Sequence, residues 1–159
     1  MSAPEARVVH GGLEGAGLTH DTTERLSWYL FAPVSTKRPG YERGQDAMKA
    51  LCGKCHARPS IDEFYKKAEA VIEATNQKVK AATGLVDQLR AEGLIAKQPF
   101  TQPIQFTEFD LWHYYGRTAK HGAFIGGADF VQWHGNYPML ARSVELRTQA
   151  EDLRRRHGH

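Results

Sequence analysis

From Ile61 to Leu89, apolar or small side chains recur in steps of three and four: Ile61, Phe64, Tyr65, Ala68, Val71, Ile72, Thr75, Val79, Ala82, Val86 and Leu89. A strand would send alternate residues to opposite faces, whereas this spacing puts the whole series on one side of a helix. Ser60 is placed to cap the helix, with Glu63 as the return partner of a capping box. Gly93 is placed to end it. At 1.5 Å per residue such a helix spans roughly 45–50 Å. A compact small domain does not cover that length unaided, so the stripe calls for other helices, of the same chain or of a partner.

The flanking segments also read as helical. A helix is expected from near Asp21, ended by Pro33, and a short one from about Arg43 to Leu51. Ile104 to His121 reads as an aromatic-rich helix, and Gly122, Gly126 and Gly127 are expected to loosen the segment after it. Asn136-Tyr137-Pro138 reads as a turn. Met139 to Arg156 is a last amphipathic helix with Leu140, Val144 and Leu153 on its apolar side. Strand-like alternation is essentially absent, so the expected class is all-α: long helices bundled around one site, with residues 1–60 and 61–159 as two segments of a single domain.

That site is Cys52-Gly53-Lys54-Cys55-His56, which holds both cysteines of the chain. C-x-x-C-H is the pattern of covalent c-type haem attachment. Cys52 and Cys55 would form thioethers with the two vinyl groups, and His56 would bind the iron from one side. A zinc site would need two further ligands, and there is no second cysteine pair. A redox dithiol would need a βαβ context, which is missing. With no other cysteine, no disulfide framework is on offer.

A low-spin haem needs a second axial ligand. The chain has eight histidines. His20, which opens a helix, is the first candidate and His10 the second. His113 and His121 read as packed or structural, His157 and His159 as solvated. Arg117 could neutralise a propionate through a bidentate contact. Met48 reads as core packing. The many aromatic residues suit the walls of a flat apolar group as well as a helical core.

The remaining properties bound the class. The net charge is +3 with histidine neutral, and much of it comes from Arg154-Arg155-Arg156, which reads as a solvated helix end. Nucleic-acid binding is not indicated. No stretch of apolar residues is long enough to span a membrane. Met1 to Gly12 lacks the charged and apolar regions of an export signal. Covalent c-type haem is assembled outside the cytoplasmic membrane, so an extracytoplasmic location is expected. Either a signal has been removed or the chain is the tail of a longer protein.

Three segments read together are more specific than the haem motif alone. They are His10-Gly-Gly-Leu-Glu-Gly with Thr19-His20-Asp21-Thr-Thr-Glu-Arg-Leu-Ser-Trp-Tyr29; Cys52 to His56; and Trp112-His113-Tyr-Tyr-Gly-Arg117 running on to Gly126-Gly-Ala-Asp-Phe-Val-Gln-Trp133-His134-Gly135. In this order, over nearly the whole chain, they resemble the C-terminal part of octahaem cytochromes of the hydroxylamine oxidoreductase family. The resemblance implies a bis-histidine, electron-carrying last haem on Cys52, Cys55 and His56. It implies that His134 reaches a haem attached earlier in a full-length protein. It also implies a homotrimer through the long helix, other haem-bearing segments, and a redox partner cytochrome. The chain departs from the family in carrying one motif where the family has eight, so the catalytic haem is not among these residues. A crosslinking tyrosine of the oxidising members has no counterpart in Ile104 to Leu111, which leans a parent protein towards reduction. Two other readings stand beside this one: a free-standing monohaem electron carrier, and a haem-free helical trimerisation fragment.

Overall fold

The computed structural model describes Trp28, Leu30, residues 32–125 and residues 127–158. His10, His20 and most of the helix expected from Asp21 to Pro33 lie outside the described residues, and where the end of that stretch is described it is not helix: Trp28 is in a bridge, Leu30 in a turn, and Ala32 and Pro33 in bends. Among the described residues the structure is all-α, as expected. It has no strand, only an isolated antiparallel bridge between Trp28 and Lys37. The chain divides into two compact units, residues 1–29 with 36–61 and residues 30–35 with 62–159.

In the first unit, α1 (Tyr41–Cys52) follows a turn in which Gly40 takes φ +71. Lys37 lies over the rings of Trp28 at 5.4 Å and Tyr41 at 4.3 Å, a cation–π contact on each side. α1 buries none of its residues. Met48 is exposed, not packed in a core as the sequence suggested. The next helix starts here, at Arg58. Ser60 is therefore inside the first turn and is not the cap. Pro59 suits that turn, where a missing N–H costs nothing.

The second unit is built on that helix, α2 (Arg58–Ala91). Ala68, Ile72, Thr75, Val79, Ala82, Val86 and Leu89 are all buried, an unbroken alternation of steps of four and three. Each fully buried valine or leucine contributes about 1.5–3 kcal/mol of transfer free energy. The seam is covered from within the chain: Leu94, Ile95, Ile104, Leu111, Ala119, Val131, Met139, Leu146 and Ala150 complete the core. α2 ends in a Schellman motif. Gly93 takes φ +75, its N–H donates to Arg90 O, and Leu94 N–H donates to Leu89 O at 2.9 Å.

Two interrupted helices return along α2. The first runs α3 (Pro103–Phe109), π1 (Asp110–Gly116) and α4 (Arg117–Ile125). The second runs α5 (Gly127–Val131), π2 (Gln132–Asn136) and α6 (Tyr137–Arg156). Both π segments join their neighbours through helical dihedrals, so each is a wide turn inside a rod, not a break. Asn136-Tyr137-Pro138 is accordingly helix, with Pro138 in the first turn of α6, where proline is tolerated. Gly122 does not loosen the chain but packs it: an added Cβ would lie 2.7 Å from Phe130 Cδ1. The buried side of α6 is Met139, Leu146 and Ala150, with Leu153 packed against the core as expected, whereas Leu140 and Val144, expected on that side, are exposed.

Candidate functional site

The Cys52 to His56 segment is a tight turn between α1 and α2. Gly53 N–H donates to Lys49 O at 2.9 Å, closing α1. Cys55 N–H and His56 N–H both donate to Cys52 O, at 3.1 and 3.0 Å. The loop thus folds around one carbonyl. Cys52 is half-buried, while Cys55 and His56 are exposed, and both cysteines are free thiols. Leu51, 56% exposed, and Met48 add apolar surface on the same short helix. An exposed thiol, a half-buried thiol, an exposed imidazole and exposed apolar side chains form a donor set that fits a covalently held flat apolar group. Gly53 belongs to this geometry, because a Cβ there would lie 3.3 Å from Lys49 O.

The other candidate residues belong to the second unit. His134 is exposed in π2, its ring 4.9 Å from that of Phe130. Arg117 begins α4 with Nη1 3.1 Å from His113 Nε2. His113 lies in π1 and stacks on Phe109 at 4.4 Å. Burial, then the Arg117 charge, holds the His113 pKa below its ordinary value. His121 is half-buried, and its Nδ1 lies 2.8 Å from Arg117 O. A carbonyl only accepts, so Nδ1 carries the proton. Burial lowers the His121 pKa, the bond to the Arg117 carbonyl opposes that, and the charges of Arg117 and Lys120 lower it further. Both imidazoles are therefore held towards the neutral form, the form that binds a metal ion. Among the described residues no three His, Cys, Asp or Glu side chains converge as a metal site.

Several buried polar residues escaped the sequence reading, Lys120 and Asn76 among them. Lys120 is 0% exposed, and its Nζ donates to Ala32 O at 3.3 Å, Pro33 O at 3.0 Å and Ser35 Oγ at 2.9 Å. Burial, then the Arg117 charge, lowers its pKa to about 8. Asn76, on α2, holds the same segment through Ser35: Asn76 Oδ1 accepts from the Ser35 N–H and Nδ2 donates to the Ser35 carbonyl, both at 2.8 Å. The two side chains fasten residues 32–35 to the helices of their unit. A lysine flanked by alanine and histidine carries no pattern that would mark it as buried.

No protein-family model matches the chain, and no curated protein matches its sequence. Solved structures do match in fold. One is a reducing HAO-like protein complex of Kuenenia stuttgartiensis, with a TM-score of 0.70 and 16% identity over 76% of this chain and 35% of that one. Another is described as a hypothetical multiheme protein, with a TM-score of 0.68 and 16% identity over 99% of this chain and 34% of that one. The chain shares the fold of part of each of these proteins. The chain spans about a third of the length of each match. Among the described residues no helix is long and apolar enough to cross a membrane.

Proposed function

We propose that the chain is an electron-transfer segment of an HAO-like multihaem cytochrome, with one c-type haem held by the turn at Cys52 to His56. The observation that carries this reading is the motif's setting: a tight turn in which Cys55 and His56 are exposed and Cys52 is half-buried, beside an α1 that buries nothing. When bound, haem supplies a one-electron redox couple. The chain's part is to anchor it through Cys52 and Cys55, to present His56 to its iron, and to cover its faces with apolar side chains. His20 or His10 would provide the opposite ligand. His134, exposed and close to Phe130, would reach a haem carried by another segment, and Arg117 would meet a propionate. The place of this work would be extracytoplasmic, and the full protein's chemistry would be oxidation of hydroxylamine or hydrazine, or reduction of nitrite. A redox partner cytochrome would exchange the electrons.

The homotrimer implied by the resemblance needs a surface other than the inner stripe of α2, which α3 to α6 already cover. One exposed apolar surface that suits it is the row Trp133, Tyr137, Leu140 and Val144, spaced by four, three and four residues along π2 and α6 and 48–63% exposed.

Expression beside a cytochrome c maturation system tests the reading. Haem should remain attached after denaturation and give a pyridine haemochrome of the c type. Cys52→Ser with Cys55→Ser should abolish it. Matured protein without covalent haem would refute the proposal.

A further inference from the structure

Residues 32–35 belong to no helix or strand: Ala32, Pro33 and Val34 lie in bends, and Ser35 follows them in irregular chain. Backbone groups in such a segment have no ladder to join, so buried ones must be paired by side chains or water. Two side chains from the helices of the same unit pair these. Asn76 of α2 takes both the N–H and the carbonyl of Ser35, as a neighbouring strand would. Lys120 of α4 donates to the carbonyls of Ala32 and Pro33 and to the hydroxyl of Ser35. Asn76 and Lys120 are 2% and 0% exposed, and Val34 packs against the core beside them. The segment is a strap laid over the helices and fastened at two polar points.

The cage around Lys120 suits two protonation states. An ammonium has three N–H donors and meets three acceptors. A neutral amine keeps two N–H donors for the two carbonyls and gains a lone pair. The Ser35 hydroxyl both accepts and donates, so it can turn its O–H to that lone pair. The charged form is the costlier one while the strap is closed, because burial and then the Arg117 charge lower the Lys120 pKa to about 8. The charged and titratable groups that face it are Arg117 and His121 of its own helix, and no carboxylate offsets them. α2 presents the amide of Asn76 to the strap, and the strap carries no titratable side chain.

We propose that residues 32–35 are a releasable strap, closed by Asn76 and latched by Lys120 and the Ser35 hydroxyl, and that protonation of Lys120 loosens the latch. Release is a local opening in which the helices stay folded. It returns the amine to water and to its ordinary pKa of 10.5, so the open strap holds more protons than the closed one between about pH 8 and pH 10.5. Opening thus becomes less favourable as pH rises through that window, by roughly 10- to 100-fold from pH 7 to pH 10. Below about pH 8 both forms are charged, and the strap is at its loosest.

Amide hydrogen exchange of the full chain tests the latch, read by mass spectrometry on peptides covering residues 32–36 and 79–89 and corrected for the intrinsic rise of exchange with pH. At pH 7 the strap peptide should exchange about tenfold or more faster than the α2 peptide, the mark of local opening. Its protection should rise by roughly 10- to 100-fold by pH 10. Ser35→Ala removes an acceptor that the ammonium needs and the neutral amine does not. Strap protection in this variant should therefore fall several-fold at pH 7 and stay near wild type at pH 10. An equal loss at both pH values marks a merely structural hydroxyl and overturns the latch. Strap exchange that coincides with that of α2 at pH 7 also overturns it, as does wild-type protection that does not change with pH. These last two arms decide the matter even where Ser35→Ala does not fold.

Discussion

Gly135 in π2 and Ala119 in α4 are in backbone contact: a Cβ on Gly135 would lie 2.6 Å from Ala119 Cβ and 2.8 Å from its Cα. Neither partner can yield, because both contacts are to or beside main chain. Gly116, at the end of π1, makes a similar approach to α2, with its added Cβ 3.3 Å from Val79 Cγ2. Two wide turns and two glycines thus let the interrupted helices cross one another and α2 at close range. Gly135→Ala should destabilise the fold by about 1–3 kcal/mol, the usual cost of overpacking. Gly84 is the control. It lies mid-α2, exposed, with nothing within 4 Å of an added Cβ. Gly84→Ala should stabilise by roughly 0.5–1 kcal/mol. Urea midpoints of the two variants should move in opposite directions; a shift of the same sign in both contradicts the packing account.

The seam of α2 was open to reading because it is periodic: from Ala68 to Leu89 its positions follow one another in steps of four and three, with the buried Asn76 as an addition to the pattern. The Cys52 to His56 motif was open to reading because three residue types at fixed spacing mark it. Other features were hidden for physical reasons. The π turns depend on helix crossings at Gly116 and Gly135 that no local pattern encodes. The buried side of α6 was misread because Leu140 and Val144 are apolar yet exposed, while Ala150 is small yet buried. Hydropathy alone does not rank a small residue at a close crossing above a large one facing outward. Lys120 and Asn76 were missed because burial of a polar group is decided by distant backbone acceptors and donors, not by neighbours in sequence.

Lys120 makes folding pH-dependent in the alkaline range. Its pKa falls from 10.5 to about 8 in the folded chain, so the charged form is disfavoured there relative to the unfolded chain. Below about 8 both states hold the proton and stability is flat. Between about 8 and 10.5 the unfolded state binds more protons, so stability rises with pH. The gain is on the order of 3 kcal/mol. Lys120→Met removes this slope. At neutral pH it also strips the Ala32 and Pro33 carbonyls and the Ser35 hydroxyl of their donor, costing about 1–3 kcal/mol for a buried acceptor left unmade. Denaturant unfolding of wild type and variant at pH 7 and pH 10 should therefore show a gap that widens with pH. A gap that stays constant or narrows contradicts the assigned titration.

His56 and the two cysteines should separate attachment from ligation. On the proposed reading the thiols would carry the covalent bonds, whereas His56 N–H completes the turn around Cys52 O, a main-chain contact that alanine retains. His56→Ala should thus leave the fold intact, with a circular dichroism spectrum and melting temperature close to wild type. The matured variant should lose its low-spin spectrum even where haem remains attached. Low-spin absorption unchanged in His56→Ala excludes this imidazole as the iron ligand.

The exposed row on π2 and α6 makes a prediction about association. Trp133, Tyr137, Leu140 and Val144 follow the four-three-four spacing of a helix–helix seam, and the rings of Trp133 and Tyr137 lie 6.0 Å apart. The opposite face of the same helix is already committed, with Met139, Leu146 and Ala150 at 0–1% exposure. A charge at Leu140, which is 60% exposed, therefore meets water in the monomer and costs little folding free energy. In an oligomer built on the row it would be buried without a partner, and association would weaken strongly. Leu140→Lys should keep the wild-type melting temperature at low protein concentration while shifting sedimentation at high concentration from larger species to the monomer. Equal sedimentation of the two proteins across that concentration range would show that the row takes no part in self-association.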